Sequence, residues 1–186
     1  MRIISGKFKG KTINFLKNLN TRPLKDSVKE NIFNILSHSK LINLKIHEST
    51  ILDLYSGIGS FGIECISRGA KKVTFIEKNK EAFNILNNNI IKLSITNQVK
   101  IINDNIQNFL KKSIDEKFNV FFFDPPFADT NFIEYLDLIK RNKNHESRHL
   151  VIIHRERKTN DKLEKILKVI IEKKYGRSKI IFGVFN

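Results

Sequence analysis

From residue 50 onward, short apolar runs alternate with stretches in which apolar side chains recur three or four residues apart, the periods of buried strands and of helices packed on them. Residues 50–52 predict a first strand, followed by Asp53, a glycine-rich turn and a helix that stops before Gly69 as its C-terminal cap. A second strand at 72–76 closes on Glu77, and Asn79 caps a helix carrying Phe83, Leu86 and Ile90. A third strand at 99–102 leads to Asp104 and a helix bearing Ile106, Phe109 and Leu110. The fourth, 119–123, is apolar enough to be covered on both faces; it ends in Asp124-Pro125-Pro126-Phe127, and a helix follows over 131–140. A fifth strand at 150–153 precedes two more, 166–174 and 179–185, joined at Tyr175-Gly176 as a terminal hairpin. Ahead of this run, residues 1–11 alternate basic and apolar side chains around two glycines and predict a short strand or hairpin. Arg22-Pro23 breaks the chain, and Asp26 or Ser27 caps a helix whose apolar face is Val28, Ile32, Phe33, Ile35 and Leu36.

Strands that alternate with helices are parallel and joined by right-handed crossovers. The fold class is therefore α/β: an open, doubly wound sheet, mostly parallel, with a C-terminal antiparallel hairpin. In such sheets a ligand lies beyond the carboxyl ends of the strands. Asp53 with its glycines, Glu77, Asp104 and Asp124 all fall at such ends, and the coincidence says more than any one of them. No internal repeat, low-complexity stretch or linker appears. The chain divides into a basic N-terminal extension, 1–40, and a single domain, 41–186.

Composition narrows the classes. The chain has 186 residues, 40% of them hydrophobic and 15 of them Phe, enough for one core and too few for two large domains. The longest apolar runs are about four residues where a membrane span needs roughly 18–20, and no apolar stretch follows the basic start as in a secretory signal. One cysteine, Cys65, excludes a disulfide framework and a cysteine-based zinc site, so a reducing, cytoplasmic setting is expected. Against 19 Asp and Glu stand 34 Lys and Arg, a net charge of +15 concentrated at the two ends. Residues 1–40 hold nine basic and two acidic side chains, residues 154–186 ten and four, and residues 41–153 are nearly balanced. Such ends suit a polyanion, because each cation that neutralises a phosphate releases a counterion. A/T-rich coding explains the preference for Lys over Arg but not where the cations sit. The cations of the tail read equally well as a solvated face.

Asp53-Leu54-Tyr55-Ser56-Gly57-Ile58-Gly59-Ser60-Phe61-Gly62 follows a strand and opens a helix. Gly57 and Gly59 permit a tight turn and a backbone approach that no side chain allows. The glycine pattern alone fits NAD, FAD or S-adenosylmethionine (SAM). Asp53 separates them: its carboxylate would repel a pyrophosphate, whereas SAM has no phosphate and carries two cations, an ammonium and a sulfonium. Glu77 is placed to accept from two ribose hydroxyls, or is a solvated acid before Lys78. Asp104 can accept from the adenine amino group while the Asn105 backbone N–H donates to the ring; a capping role for Asp104 competes.

The most specific element is the Asp-Pro-Pro-Phe tetrad. Two prolines after a buried strand end the ladder and lock an extended turn, aiming the Asp124 carboxylate and the Pro125 carbonyl at the cleft. Phe127 adds a flat apolar face for an unstacked base. Together they suit an exocyclic –NH2 group, whose lone pair is delocalised into its ring. Acceptors on both hydrogens hold its plane and turn the lone pair toward a methyl donor. The plainer reading is a strand-ending turn with Asp as a cap.

The aspartate–glycine loop and the tetrad resemble those of the Rossmann-like SAM-dependent amino-methyltransferases. Met1-Arg-Ile-Ile-x-Gly-Lys-x-Lys-Gly10 and Arg22-Pro23-x-x-Asp26-x-Val28-Lys29-Glu30-x-x-Phe33-Asn34-Ile35-Leu36 resemble the N-terminal signature of bacterial 16S ribosomal RNA guanine-N2 methyltransferases, the RsmD-like group. Residues 52–64, Ser67-Arg68-Gly69-Ala70 and Tyr175-Gly176 are similar to its cofactor loop, following helix and closing pair, so the resemblance spans essentially the whole chain. It implies a Rossmann-like SAM-methyltransferase sheet. It also implies methyl transfer from SAM, leaving S-adenosylhomocysteine, to N2 of a loop guanine in 16S ribosomal RNA within an assembled or partly assembled small-subunit particle. By position, Asp53, Gly57, Gly59 and Glu77 would hold SAM, with Asp104 and Asn105 at its adenine. Asp124, Pro125 and Phe127 would hold guanine as the catalytic set. Arg2, Lys7, Lys9, Lys11, Arg22 and Lys25 would grip phosphates. The chemistry needs no metal and no covalent intermediate, no membrane partner is implied, and a monomer is expected. Leu24-Lys25, Ser27 and Ile58 depart from the family's usual residues, which touches RNA contact and loop packing but not methyl transfer.

His145-Glu146-Ser147-Arg148-His149 matches the His-Glu-x-x-His pattern of zinc proteases, which works only on a helix, where both histidines share a face. Here His149 abuts a strand and follows Lys- and Asn-rich sequence, so a loop is expected and no metal ligand is assigned. Cys65 reads as a small packed residue. Two rival functions remain: the same chemistry on another amine (adenine N6 or a protein glutamine), and a non-catalytic RNA-binding module. The basic ends favour nucleic acid over protein, and an intact tetrad speaks against a bare binding module.

Overall fold

A computed structural model describes residues 1–15, 24–112 and 114–186 of the chain. The described residues form seven strands, Thr50–Leu54 (β1), Lys72–Ile76 (β2), Val99–Ile102 (β3), Phe118–Phe123 (β4), His145–Glu156 (β5), Leu167–Tyr175 (β6) and Ser178–Phe185 (β7). They form one sheet in the order β3-β2-β1-β4-β5-β7-β6. The first five are parallel to one another, and β7 runs antiparallel to both β5 and β6. From β1 the chain winds outward to β2 and β3, then returns to β4 and winds the other way. The crevice at that reversal lies between β1 and β4.

Among the described residues five helices cover the sheet: Asp26–His38 (α1), Ser60–Ser67 (α2), Lys80–Lys92 (α3), Ile106–Lys111 (α4) and Phe132–Arg141 (α5). Alternation along β4 divides its apolar run between two cores. Val120 and Phe122 pack with α1, α2 and α3, whereas Phe121 and Phe123 pack with α4 and α5. Phe61 of α2 stacks between Phe122, 3.9 Å away by ring centroids, and Phe33 of α1, at 5.3 Å. The same period of two puts Asp53 in phase with Ile51, and Asp124 in phase with Phe122, on one side of the sheet.

The predicted strand and helix order holds from residue 50 to the end, and Asn79 caps α3 by accepting from the Ala82 N–H at 2.9 Å. Three details differ. The N-terminal hairpin has no ladder: a single bridge joins Arg2 and Thr12 around a 3-10 turn at Gly6–Phe8. Lys25, not Asp26 or Ser27, takes the N-cap position of α1, without a side-chain cap, and Asp26 pairs with Lys29 at 3.5 Å instead. β5 begins at His145 rather than at residue 150; its first half is largely exposed and polar, so hydrophobic pattern gave no sign of it, and pairing with β4 forms it.

Residues 1–15 share the core of the sheet. Ile3 and Ile13 are buried with α1 and α2, and the fully buried Glu64 carboxylate accepts the Ile4 and Ser5 N–H groups at 2.8 and 3.0 Å while Arg68 neutralises it. Among the described residues no helix is long and apolar enough to cross a membrane.

Candidate active site

A cavity of about 480 Å³ opens at the carboxyl ends of β1, β2, β3 and β4. Asp53, Gly57, Glu77, Asp104, Asn105, Asp124, Pro125, Phe127 and Lys25 all line it. The fold thus gathers nine of the residues singled out in the sequence.

On the β1–β3 side the walls are acidic. Asp53 is almost fully buried; its Oδ2 accepts the Gly62 N–H at 3.0 Å, and its Oδ1 has no hydrogen-bond partner among the described residues. Burial, reinforced by Asp124 and Glu77, pushes its carboxyl well above the usual carboxylate range. A buried, unsatisfied acceptor beside two further acids suits a cationic ligand group and disfavours a phosphate. Glu77 accepts from Gly57 N–H and Asn79 N–H, both at 2.7 Å, which ties the glycine loop to the end of β2. A Cβ on Gly57 would meet nothing within 4 Å, so this glycine faces open cavity at φ +54°. Gly59 does not line the cavity: it sits at φ +83°, where a Cβ would fall 2.4 Å from Leu86, and its place is set by packing on α3. Asp104 accepts from the backbone N–H and side chain of its neighbours Asn105 and Asn108, at 2.8 and 2.9 Å, and from Lys112 at 3.1 Å. The Asn108 bond and the Lys112 ammonium hold its carboxyl below the usual range. Asn105, not Asp104, caps α4 through Asn108 N–H.

The tetrad forms the other side. Pro125 is buried, while Asp124 and Phe127 are partly exposed to the cavity. The Asp124 Oδ1 lies 2.8 Å from His154 Nδ1, and the Phe127 ring meets the same imidazole edge-on at 6.1 Å. Tyr55 and Tyr135 also line the cavity and stand 6.5 Å apart, and the Tyr55 hydroxyl donates to Asp129. The cavity therefore combines flat aromatic rings with a strand-end carboxylate, an arrangement that can hold a planar ring by a face and an amine by its hydrogens.

Sequence reasoning did not single out Tyr55, Asp129, Tyr135, His154 or Ser178, all of which line the cavity. Position in the pattern offered one signal: His154 ends the apolar run of the fifth strand as Asp124 ends that of the fourth.

Among the predicted phosphate contacts that fall on described residues, Lys25 alone is at the cavity, joined there by Lys78. Lys7 donates to Gln98, just before β3, and Phe8 N–H donates to Ser67, at the end of α2. The turn that carries Lys7 and Lys9 thus lies at the amino end of β2 and β3, the opposite end of the sheet. Lys11 rests over the Phe8 ring on that same turn. Arg2 is exposed, and its carbonyl accepts from the buried Lys29 ammonium at 2.9 Å, which also reaches Ser60. Arg22 lies outside the described residues.

His145 and His149 fall on β5 rather than in a loop. Their rings lie 4.3 Å apart, and His149 is engaged on both nitrogens, by Glu146 carbonyl and Phe185 N–H. Among the described residues no cluster of three or more His, Cys, Asp or Glu could hold a metal. Cys65 is fully buried, and burial pushes its thiol well above the ordinary value.

Comparison with known proteins agrees with this architecture. The model of the family described as "Conserved hypothetical protein 95" matches residues 1–184. The chain is 35% identical over 185 residues to "Ribosomal RNA small subunit methyltransferase D" of Buchnera aphidicola subsp. Baizongia pistaciae, covering 100% of this chain and 91% of that protein. It is 30% identical over 142 residues to the Escherichia coli K12 protein of the same name, covering 76% and 68%. A solved Haemophilus influenzae structure, HI0767, is 30% identical over 98% of this chain and 96% of its own, with a TM-score of 0.77. The solved yhhF protein of Escherichia coli is 26% identical with the same coverage and a TM-score of 0.82.

Proposed function

The chain belongs to the Conserved hypothetical protein 95 family of RsmD-like methyltransferases, and on that premise we propose that it methylates the exocyclic N2 of a guanine in 16S ribosomal RNA, using SAM. The observation that carries this reading is the placement of Asp53 and Asp124 on one face of the sheet, at either side of a single cavity. One carboxylate has a buried oxygen left for a cation. The other stands at a rigid turn beside aromatic walls.

When bound, SAM supplies an electrophilic methyl group activated by its sulfonium. Asp53 would meet its cationic portion, and Gly57 leaves room for the ligand against the backbone. Glu77 retains lone pairs for hydroxyl groups after binding its two amides, since a carboxylate accepts about four hydrogen bonds. At the tetrad, Asp124 and the Pro125 carbonyl each accept one hydrogen of the guanine amine, which fixes its plane and exposes its lone pair on the remaining side. The amine must shed a proton once methylated, and Asp124 is the carboxylate placed to receive it. Phe127, Tyr55 and Tyr135 offer faces to a base taken out of its stack. Lys25 and Lys78 hold phosphate at the rim, fixing position while the pocket reads identity.

The extension, residues 1–40, places Lys7, Lys9 and Lys11 far from the cavity, so they meet RNA only where the substrate wraps the protein. A small-subunit particle in the cytoplasm is such a substrate, and a monomer fits into it most readily. The test is tritiated-methyl transfer from SAM onto small-subunit particles taken from cells lacking the protein, followed by nucleoside analysis. Label in N2-methylguanosine is the expected result; label in N6-methyladenosine or in the protein fraction would overturn the proposal.

A further inference from the structure

We infer that two consecutive residues of β5, His154 and Arg155, are positioning residues that hold the tetrad from opposite faces of the sheet. His154 fixes the Asp124 carboxylate, and Arg155 fixes the Pro126 carbonyl. The inference rests on the tetrad as the amine-binding element.

Register explains why these two residues reach the tetrad. β5 runs beside β4 with Ile152 opposite Phe122 and Ile153 opposite Phe123, so the positions that follow lie alongside Asp124 and Pro125. Successive side chains point to opposite faces. His154 therefore shares a side with Asp124, and Arg155 enters the core beneath α5, its guanidinium 4.7 Å from the Phe132 ring centroid.

The His154 side chain is 7% exposed, with Nδ1 2.8 Å from Asp124 Oδ1 and a buried Nε2 that has no partner among the described residues. In the neutral ring one nitrogen bears the proton. A proton on Nε2 would bury an N–H without an acceptor and set the Nδ1 lone pair against a carboxylate. The proton accordingly sits on Nδ1 and donates to Asp124. One Asp124 oxygen is thereby committed, and the other is left for the substrate amine.

Arg155 is 1% exposed and acts as a planar fork. Its Nη1 donates to the Pro126 carbonyl at 3.1 Å, while Nε and Nη2 bind the two oxygens of the buried Asp161 at 3.1 and 3.0 Å. The Pro126 carbonyl also accepts Asp129 N–H at 2.8 Å. The proline ring fixes φ but leaves ψ free; these two donors fix ψ, and with it the direction in which Phe127 leaves. Lys has no fork and cannot satisfy both partners at once.

The test compares His154→Leu, His154→Asn and Arg155→Lys with the wild type in kcat and KM on small-subunit particles, SAM affinity by calorimetry, and thermal unfolding. Nitrogen-15 NMR of histidine-labelled protein locates the His154 proton. The Asn amide nitrogen falls near Nδ1 and restores a donor. Misplacing a reacting group by an ångström costs up to about 100-fold in rate. We expect His154→Leu to lower kcat roughly 10–100-fold with SAM affinity unchanged, His154→Asn to recover most of the loss, and Arg155→Lys to lower kcat with little change in KM. Should Arg155→Lys fail to fold, Asp161→Asn loosens the same fork without emptying it. A folded His154→Leu variant with wild-type kcat, or a His154 ring with its proton on Nε2 and none on Nδ1, would overturn the inference. Wild-type protein inactive on the particles, with the proton on Nδ1, would instead defeat the proposed reaction and leave the hold on Asp124 supported.

Discussion

The Tyr55 hydroxyl donates to Asp129 Oδ2 at 2.9 Å, joining the residue that follows β1 to the segment that follows the tetrad. Tyr55 makes this bond at φ +60°, a left-handed backbone that costs a non-glycine residue on the order of 1–2 kcal/mol. The other Asp129 oxygen accepts Asn131 N–H at the start of α5, so one carboxylate links three pieces of the cavity wall. Burial and the neighbouring Asp129 hold the Tyr55 phenol far above its ordinary value, so it remains a donor. Tyr55→Phe keeps the ring and removes the link. Its expected effect is a KM for particles raised roughly 3–10-fold, the loss of about one hydrogen bond, with SAM affinity unchanged by calorimetry.

Asp53 sets stability against binding. Its carboxyl is raised in the fold, so the folded protein holds this proton more tightly than the unfolded chain does. Stability then falls as pH rises above about 4, the unfolded value, toward the raised folded one. Asp53→Asn removes that slope and is expected to raise Tm at neutral pH relative to wild type, measured by calorimetry across a pH series. The same change should weaken SAM binding at least about tenfold by removing the counter-charge. A cation prefers the ionised carboxylate, so wild-type affinity for SAM should climb with pH over that window and the Asn variant should show no such climb.

Asp124→Ala tests the division of labour within the cavity. Because the hydrogen bond of Asp124 runs to His154, away from the glycine loop, the variant should bind SAM within about threefold of wild type, whereas methyl transfer should fall by about 10²–10³ or more. Calorimetry and tritium transfer on one preparation read both quantities. Loss of both together would show that Asp124 belongs to the SAM-binding side.

The cations separate by location. Lys25→Glu with Lys78→Glu should weaken particle binding and flatten its salt dependence by about one unit of slope for each phosphate no longer neutralised. Lys7→Glu with Lys9→Glu, at the far end of the sheet, should change the slope less. Filter-binding titrations across a salt series measure both pairs.

The helix and strand order and the acids at the strand ends are properties of the sequence itself. Period two and period 3.6 are local, so 119–123 declares a doubly covered strand and Asn79 a cap without reference to anything distant. Asp53, Glu77, Asp104 and Asp124 could be placed at strand ends because each interrupts a periodic run. Local pattern is silent where side chains are polar and solvated. The first half of β5 was therefore invisible, and the Asp26 cap lost to its ion pair with Lys29. What tertiary structure alone decided are the relationships across strands: His154 on Asp124, Arg155 on Pro126 and Asp161, Tyr55 on Asp129, and a lysine turn carried to the wrong end of the sheet to share a cavity with the tetrad. Those partners lie from 6 to 74 positions apart, and what joins them is the order and register of strands and the loops that leave them. Both are set by how whole faces bury one another, a balance no short stretch of sequence contains.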